Sequence, residues 1–270
     1  MKDKISVLFI GDIVGASGIT AVRDWLPELK ERYQPDFMIA NGENADKGKG
    51  MTKREAKELF DMELDVITTG NHIWDNWYSK PLLAENPKVL RPFNYPAGNV
   101  GMGYTISEID EEISICVLNI QGRTFMQSID CPFKAADFVI KTVSEQTKII
   151  IVDFHADATA EKIAMSWYLD GRVSALIGTH THIPTADASI LPQGMAYITD
   201  VGMTGPFDSV VGMRKDQALK RFLLQIPHKY EVATEDNRIC GVNLIIDTAT
   251  GMAEKIEQFI LPGFENGVLK

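Results

Sequence analysis

Four of the chain's five histidines lie in three short patterns, each of which follows a run of apolar residues. The patterns are Gly70-Asn71-His72, Asp153-Phe154-His155 and Gly178-Thr179-His180-Thr181-His182. Two further apolar runs end on acidic residues, in Gly11-Asp12 and in Asn41-Gly42-Glu43-Asn44. Imidazole, carboxylate and amide groups are ligands that metal ions take from proteins. Their types and spacing therefore indicate a centre for a pair of metal ions.

The residues before each pattern predict buried strands that would position these side chains. Six short runs are apolar and rich in β-branched residues, as in strands that are covered on both faces. They are 5–10, 37–40, 66–69, 113–119, 149–153 and 175–177. Strand C-termini in α/β sheets converge on one crevice where ligands bind. Polar side chains from five strands are therefore expected to meet at one edge of the fold.

Helices are predicted between and after these strands, at 19–33, 52–62, 134–144, 161–169 and 215–223. Pro27 is expected to kink or break the first of them. Thr52 and Glu55 have the spacing of a capping box, which predicts a helix start. Beyond residue 196, strands are expected at 197–199, 225–233 and 238–247, with antiparallel pairing. The pattern predicts a layered α/β domain with a mixed sheet, and residues 1–270 are expected to form a single domain.

Composition narrows the classes of partner. The chain has 270 residues, of which 45% are hydrophobic, and a net charge of −10 at pH 7. This charge argues against stable binding to nucleic acid or to an anionic membrane, although bound metal ions could attract an anionic substrate locally. No apolar stretch approaches the roughly 18 residues of a membrane span. The three cysteines are widely spaced and are interpreted as free thiols, which predicts a cytoplasmic protein.

Each candidate ligand has an ordinary structural interpretation when it is taken alone. Asp12 could cap the following helix, and Asn44 or Asn71 could stabilise a turn. The ordered combination of five motifs favours the metal centre instead. His180 and His182 are two residues apart, so an extended backbone there would direct both rings to the same side, as neighbouring metal ions require.

The order of these motifs resembles that of the calcineurin-like metallophosphoesterases. Within that superfamily, the chain resembles the bacterial YmdB-type 2′,3′-cyclic-nucleotide phosphodiesterases over almost its whole length. Residues 119–123, 167–175 and 199–206 support this closer match. The resemblance implies a four-layered α/β/β/α sandwich with mixed sheets and two metal ions per chain.

The resemblance also implies which residues hold the metals. One ion would be held by Asp12, Glu43, Asn44 and His182, and the other by Glu43, Asn71, His155 and His180, with Glu43 as the bridge. The chain lacks the histidine of the superfamily's usual Asp-x-His opening, and Glu43 replaces the usual bridging Asp. By the resemblance, Asn44 takes the vacant position. The added oxygen ligand favours iron or manganese over zinc.

The activity that the resemblance implies is hydrolysis of 2′,3′-cyclic nucleotides to nucleoside phosphates. A hydroxide that bridges the metals is expected to attack phosphorus, while His72 donates a proton to the leaving oxygen as a general acid. Alternatively, His72 only orients a metal ligand. Arg123, near the end of a predicted strand, could contact the substrate phosphate or form a surface salt bridge.

Other functions remain open on the sequence. The same site could serve a phosphomonoesterase or a phosphodiesterase for other nucleotides. A regulatory or RNA-associated protein with secondary phosphoesterase activity is less favoured, because the chain shows no obvious basic surface with interleaved aromatic residues. The expected partner is a small nucleotide, and a homo-oligomer is expected, in which Phe259, Ile260 and Phe264 are either contact or core residues. His228 lies outside every motif and is interpreted as structural or exposed.

Overall fold

The computed structural model describes residues 2–227 and 229–264, so His228 lies outside the described residues. The strands are β1 Lys4–Ile10, β2 Asp12–Ile13, β3 Phe37–Asn41, β4 Val66–Thr68, β5 Tyr104–Glu108, β6 Ser114–Gln121, β7 Ile149–His155, β8 Ala175–Thr179, β9 Ser189–Ile190, β10 Ala196–Ile198, β11 Met203–Pro206, β12 Asn237–Asp247 and β13 Ala253–Leu261. The helices are α1 Gly15–Tyr33, α2 Lys53–Asp61, α3 Ser79–Glu85, α4 Pro132–Val143, α5 Thr159–Leu169 and α6 Lys215–Leu224, and a 3-10 turn spans Asn71–Trp74.

The strands form two mixed sheets. The first has the order β2-β11-β12-β1-β3-β4, with β13 paired to β12, and the second has the order β5-β6-β7-β8-β10-β9. β1 is parallel to β3 and β3 to β4, whereas β12 is antiparallel to both β1 and β13. In the second sheet, β6, β7, β8 and β10 are parallel. The antiparallel pairing expected for the C-terminal strands is confirmed for β12, whereas β10, which forms where a strand was expected at 197–199, is antiparallel to β9 but parallel to β8.

The alternating direction of the side chains along the central strands explains why the helices and sheets form separate layers. Because successive side chains of a strand point to opposite faces, Val7 and Phe9 of β1 pack between the two sheets, while Leu8 and Ile10 pack with α1. In β7, Ile151 likewise belongs to the core between the sheets. The neighbouring positions in β7 pack with α4 and α5 on the outer face. The result is the four-layered α/β/β/α sandwich that the resemblance implied.

The first helix is not broken at Pro27, because α1 continues through this residue. The proline removes a single backbone donor, and its side chain is exposed, so water can reach the carbonyl that loses its partner. Leu26 and Leu29 on either side are buried and hold the helix against the first sheet. The capping box at Thr52 and Glu55 is present and opens α2 as expected.

The strand expected at 225–233 is wrong for the described residues of that segment. It forms only an isolated bridge between Val232 and Met213. Its side chains are held mainly by packing, since Tyr230 lies against Gly48 and Val232 against Gly15. Alternating β-branched and aromatic residues mark a half-buried segment, but a strand also requires a backbone partner along its length.

Two aromatic residues near the C-terminal end of the described chain differ in burial. Phe259 is 4% exposed and belongs to the core, whereas Phe264 is 43% exposed. Within residues 2–227 and 229–264, no helix has both the length and the apolar character needed to cross a membrane.

Candidate metal centre

The sequence-predicted ligands come together at the C-terminal ends of strands from both sheets. Asp12 follows β1, Glu43 and Asn44 follow β3, Asn71 follows β4, His155 ends β7, and His180 and His182 follow β8. Five of these side chains offer donor atoms in two compact groups. The groups are Glu43, His155 and His180, and Asp12, Glu43 and His182, so Glu43 belongs to both.

The first group surrounds Nε2 of His155. Glu43 Oε1 lies 3.1 Å from this nitrogen, His180 Nδ1 lies 3.0 Å away, and Asn71 Oδ1 lies 3.2 Å away. Ligand atoms that bind one metal ion at about 2.0–2.2 Å and at right angles lie about 3 Å apart. The spacing of these four atoms therefore fits a common cation.

The second group contains an acceptor atom that lacks a partner. Asp12 is fully buried, and its Oδ1 accepts no hydrogen bond from the described residues, while Oδ2 accepts from the backbone N–H of His180 at 3.0 Å. His182 donates from Nδ1 to the carbonyl of Val211 at 2.9 Å, which leaves its Nε2 free to act as a ligand. A buried carboxylate oxygen without a donor is costly, and a cation would remove that cost.

Asn44 lies between the members of the second group. Its Nδ2 is 3.0 Å from Glu43 Oε1 and 3.1 Å from His182 Nε2. In this orientation the amide nitrogen faces the other donor atoms. Rotating the carboxamide by 180° exchanges its oxygen and nitrogen, and it would then present Oδ1 to a metal.

The protonation equilibria of the site show how closely the groups interact. Burial raises the pKa of Asp12 well above its usual value, an effect that His155 partly offsets. Burial also opposes ionisation of Glu43, yet His155 holds the pKa of that carboxyl well below its usual range. Burial lowers the pKa of His155, but Glu43, Asp12 and Asp153 together raise it, to about 9. Burial and the charge of His155 lower the pKa of His180 to about 3. A bound cation would favour the deprotonated ligand form of every member.

The backbone that carries His180 and His182 differs from the expectation. Both residues have positive φ angles, 98° and 66°, so the segment is not extended. Such conformations cost on the order of 1–3 kcal/mol each and require support from their surroundings. Both rings nevertheless reach the ligand groups, because the left-handed turns replace the simple alternation of an extended strand.

A buried ion pair supplies that support. Lys162 Nζ donates to Asp200 Oδ2 and to the carbonyl of Thr179, both at 2.7 Å, and both charged side chains are fully buried. Asp200 Oδ2 also accepts from the backbone N–H of Thr181 at 2.9 Å and from its hydroxyl at 2.7 Å. The hydrogen bonds of the Lys162–Asp200 ion pair therefore hold the segment between His180 and His182 in place.

A second polar network orients His155. The Thr179 hydroxyl donates to Asp153 Oδ1 at 2.7 Å and lies 2.8 Å from His155 Nδ1. Because a hydroxyl has one proton, its donation to the carboxylate leaves it to accept from Nδ1–H, so Nε2 is left for a metal. Asp153 also accepts from Asn41 and Thr68 in the other sheet. The network thus joins the two sheets beneath the site.

Gly70 leaves the room that the ligands need. A β-carbon at this position would overlap both the ring of His155 and the carboxylate of Glu43. The motif Gly-Asn-His therefore has a steric reason for its glycine, in addition to the candidate ligand atom of Asn71.

His72 lies at the rim of the site. Its backbone N–H donates to Glu43 Oε2 at 3.1 Å, and its ring Nδ1 is 2.9 Å from Asp75 Oδ2. About 30% of its side chain is exposed, unlike the fully buried His155. Asp75 also accepts from Lys49 at 3.1 Å. The ring is therefore oriented by a carboxylate while its other nitrogen can face a ligand.

Arg123 lies two residues beyond β6 and is exposed. Its backbone N–H contacts the Glu161 carboxylate at 3.2 Å. The contact between its guanidinium and a substrate phosphate stays a prediction.

The sequence motifs assign no role to Asp153, Thr179, Lys162 or Asp200. One signal was available: Asp153 is an acidic residue inside the apolar run of β7, and charged residues are seldom buried without a partner. The lysine was harder to recognise, because Lys162 lies in an amphipathic helix where lysine is common.

This four-layered sandwich, with clustered histidines, acids and amides at the strand ends, is the architecture of the calcineurin-like phosphoesterases. A family model described as YmdB-like protein matches residues 8–259. The 2′,3′-cyclic-nucleotide 2′-phosphodiesterase of Bacillus subtilis (strain 168) is 45% identical over 255 residues, which cover 94% of this chain and 96% of that protein. The chain belongs to the YmdB-like family.

Solved structures of similar sequence have the same fold as this chain. A hypothetical protein from Thermus thermophilus has a TM-score of 0.88 and 40% identity, covering 95% of this chain and 98% of that one. A novel phosphatase from Mycoplasma pneumoniae has a TM-score of 0.90 and 33% identity, covering 97% and 94%. The predicted enzyme class, a phosphoric diester hydrolase, is confirmed.

Proposed function

We propose that this chain is a dinuclear metal phosphodiesterase that hydrolyses 2′,3′-cyclic nucleotides to nucleoside phosphates. The observation that carries the proposal is the pair of ligand groups that share the buried Glu43 carboxylate. A carboxylate between two sets of ligands is suited to bridge two cations. The name of the Bacillus relative supports the substrate class.

The residues fit the metals that the family implies. Asp12, Glu43, Asn44 and His182 would hold one ion, and Glu43, Asn71, His155 and His180 would hold the other. Four of these seven residues would bind through oxygen, which favours iron or manganese over zinc. When bound, such a pair lowers the pKa of a water molecule and stabilises negative charge on phosphate oxygens.

The proton for the leaving oxygen comes from His72 in this proposal. Asp75 accepts the hydrogen bond from Nδ1, so the imidazolium can deliver its Nε2 proton to the ribose oxygen. General acid catalysis of this type is worth about 10²–10⁴-fold in rate. The hydrogen bond between the backbone of His72 and Glu43 sets the distance between the acid and the ligand cluster.

The test separates the acid from the ligands. His72→Asn should leave the metal content near that of the wild type and lower kcat by about 10²–10⁴-fold. Glu43→Ala and His180→Ala should lose metal and activity together. Elemental analysis and steady-state kinetics on one preparation of each variant measure both effects. If His72→Asn emptied the site, its role as an acid would be wrong.

A phosphomonoesterase is the second candidate, and the phosphatase from Mycoplasma pneumoniae with the same fold favours keeping it. A panel of 2′,3′-cyclic, 3′,5′-cyclic and monoester nucleotides at fixed metal concentration distinguishes the two. The proposal expects the highest kcat/KM for the 2′,3′-cyclic substrates. A preference for monoesters would reject it in favour of the phosphatase.

We also propose that residues 1–270 form one domain and that the chain is a homo-oligomer. The family model spans 8–259, and Ile5 and Ala253 pack in the same apolar cluster, which supports a single domain. Leu219, Phe222 and Leu223 are exposed on or near one side of α6, and contiguous exposed apolar residues favour a protein contact. Light scattering combined with size-exclusion chromatography tests the oligomer.

A further inference from the structure

A groove with aromatic walls opens beside His72. Its volume is about 280 Å³, and its lining includes Trp77, Tyr78, Tyr230, Lys49 and Asp75. Pockets for drug-sized ligands have volumes of about 300–1,000 Å³, so this groove lies at the small end and suits a single ring system. It is distinct from the ligand cluster, because it contains none of the seven candidate metal ligands.

The groove is connected to the site by direct contacts on two sides. On one side, Asp75 lines it and accepts from His72, the residue proposed to protonate the leaving oxygen. On the other side, Tyr230 lies against Gly48, and its hydroxyl approaches Gly212. The residue before Gly212 is Val211, whose carbonyl accepts from His182. The groove therefore lies beside both the acid and one of the ligand histidines.

Two of the three aromatic residues of the groove are unusually open to solvent. Trp77 is 75% exposed and Tyr78 is 72% exposed, although tryptophan is normally highly buried. The Lys80 ammonium lies 3.9 Å from the Trp77 ring centroid and adds positive charge next to the ring. Flat aromatic surface bordered by lysines is the chemistry that binds a nucleobase joined to a phosphate.

We propose that this groove binds the nucleobase of the substrate, which stacks on Trp77. The inference rests on the proposed function, because it assigns a place to the part of the nucleotide that does not react. The leaving oxygen that His72 protonates belongs to the ribose, and the ribose carries the base. A substrate with its phosphate at the metals and its ribose at His72 extends its base past Asp75 and into the groove.

The proposal assigns Trp77 to substrate affinity and not to the chemical step. Base–aromatic stacking is worth about 5–150-fold in affinity per base. Trp77→Ala should therefore raise KM for 2′,3′-cyclic AMP by about this factor and leave kcat near the wild-type value. Trp77→Phe keeps an aromatic face and should retain most of the affinity. Trp167, which is 59% exposed on α5, supplies the matched control, and Trp167→Ala should change neither constant.

The experiment compares two probes, 2′,3′-cyclic AMP and 1-O-methylribose 2′,3′-cyclic phosphate, which lacks the base. Trp77→Ala should affect only the first of them. Equal effects on both probes, or no effect on either, would overturn the groove as a base site.

A binding measurement keeps the inference separate from the proposed function. Calorimetric titration with adenosine 3′-monophosphate should show weaker binding to Trp77→Ala than to the wild type and to Trp167→Ala. If the wild type hydrolysed neither cyclic probe but this difference persisted, the groove would stand and the proposed function would fail. Equal affinities in all three proteins would reject the groove whatever the activity.

Discussion

The buried pair of Lys162 and Asp200 permits a sharp prediction about the loop that carries the candidate ligands His180 and His182. Lys162→Met keeps a side chain of similar length but removes the ammonium that contacts Asp200 and the Thr179 carbonyl, both at 2.7 Å. Removing one partner of a fully buried ion pair leaves an uncompensated charge, which costs about 3–5 kcal/mol. For a chain of this size, this corresponds to roughly 6–20 °C in Tm, at about 2–4 °C per kcal/mol.

The assay is urea denaturation together with calorimetric metal titration. Lys162→Met should lose about 3–5 kcal/mol in the free energy of unfolding. Its metal affinity should also fall, because the turns at His180 and His182 lose their support. The exposed pair of Lys57 and Asp61 on α2 supplies the control, and Lys57→Met should cost less than about 0.5 kcal/mol.

A double variant tests the stated cause. Adding Asp200→Asn to Lys162→Met neutralises the orphaned carboxylate but keeps most of its hydrogen-bonding atoms. The double variant should therefore be more stable than Lys162→Met alone. If Lys162→Met cost no more than Lys57→Met, or if metal affinity stayed unchanged while stability fell, the proposed support of the loop would be refuted.

Three further predictions concern the ligands directly. Thr179→Val should weaken metal binding by about 10–100-fold, because valine lacks the hydroxyl that orients His155. Thr179→Ser keeps that hydroxyl and should retain the wild-type affinity. Competition with a chelator measures both affinities. Gly70→Ala should lower the metal content, since its β-carbon overlaps His155 and Glu43, whereas Gly263→Ala has open space and should not; elemental analysis checks both. Burial lowers the pKa of His155 but Glu43, Asp12 and Asp153 together raise it to about 9, so binding must displace a proton. Metal affinity should then rise about tenfold per pH unit up to about pH 9 and level off above it, with proton release measured by calorimetry in two buffers.

Much of the site followed from the sequence because its information is local. An apolar run of three to six residues predicts a buried strand, and the polar residues that follow it within a few positions then lie at the strand's C-terminal edge. Asp12, Glu43, Asn71, His155 and His180 all obey this rule, so their convergence could be predicted before any coordinates. The resemblance added the division into two ligand sets.

Local patterns failed where the outcome depended on a distant partner. Residues 225–233 have strand-like alternation, but those of them that the structure describes form only an isolated bridge, and α1 continues through Pro27, where two buried leucines hold the helix to the sheet.

The sequence by itself predicted the kinds of candidate ligand, their order and the strands that present them, since hydrophobic periodicity and strand ends are properties of short segments. The four layers were implied only by the resemblance. Only the tertiary structure decided how the ligands are held. Lys162 and Asp200 bind Thr179 and Thr181 beside the left-handed turn at His180, and Trp77 and Tyr230 come from distant segments to line the groove. These partners are far apart in the chain, and hydrogen bonding and close packing between distant segments leave no periodic signal in either one.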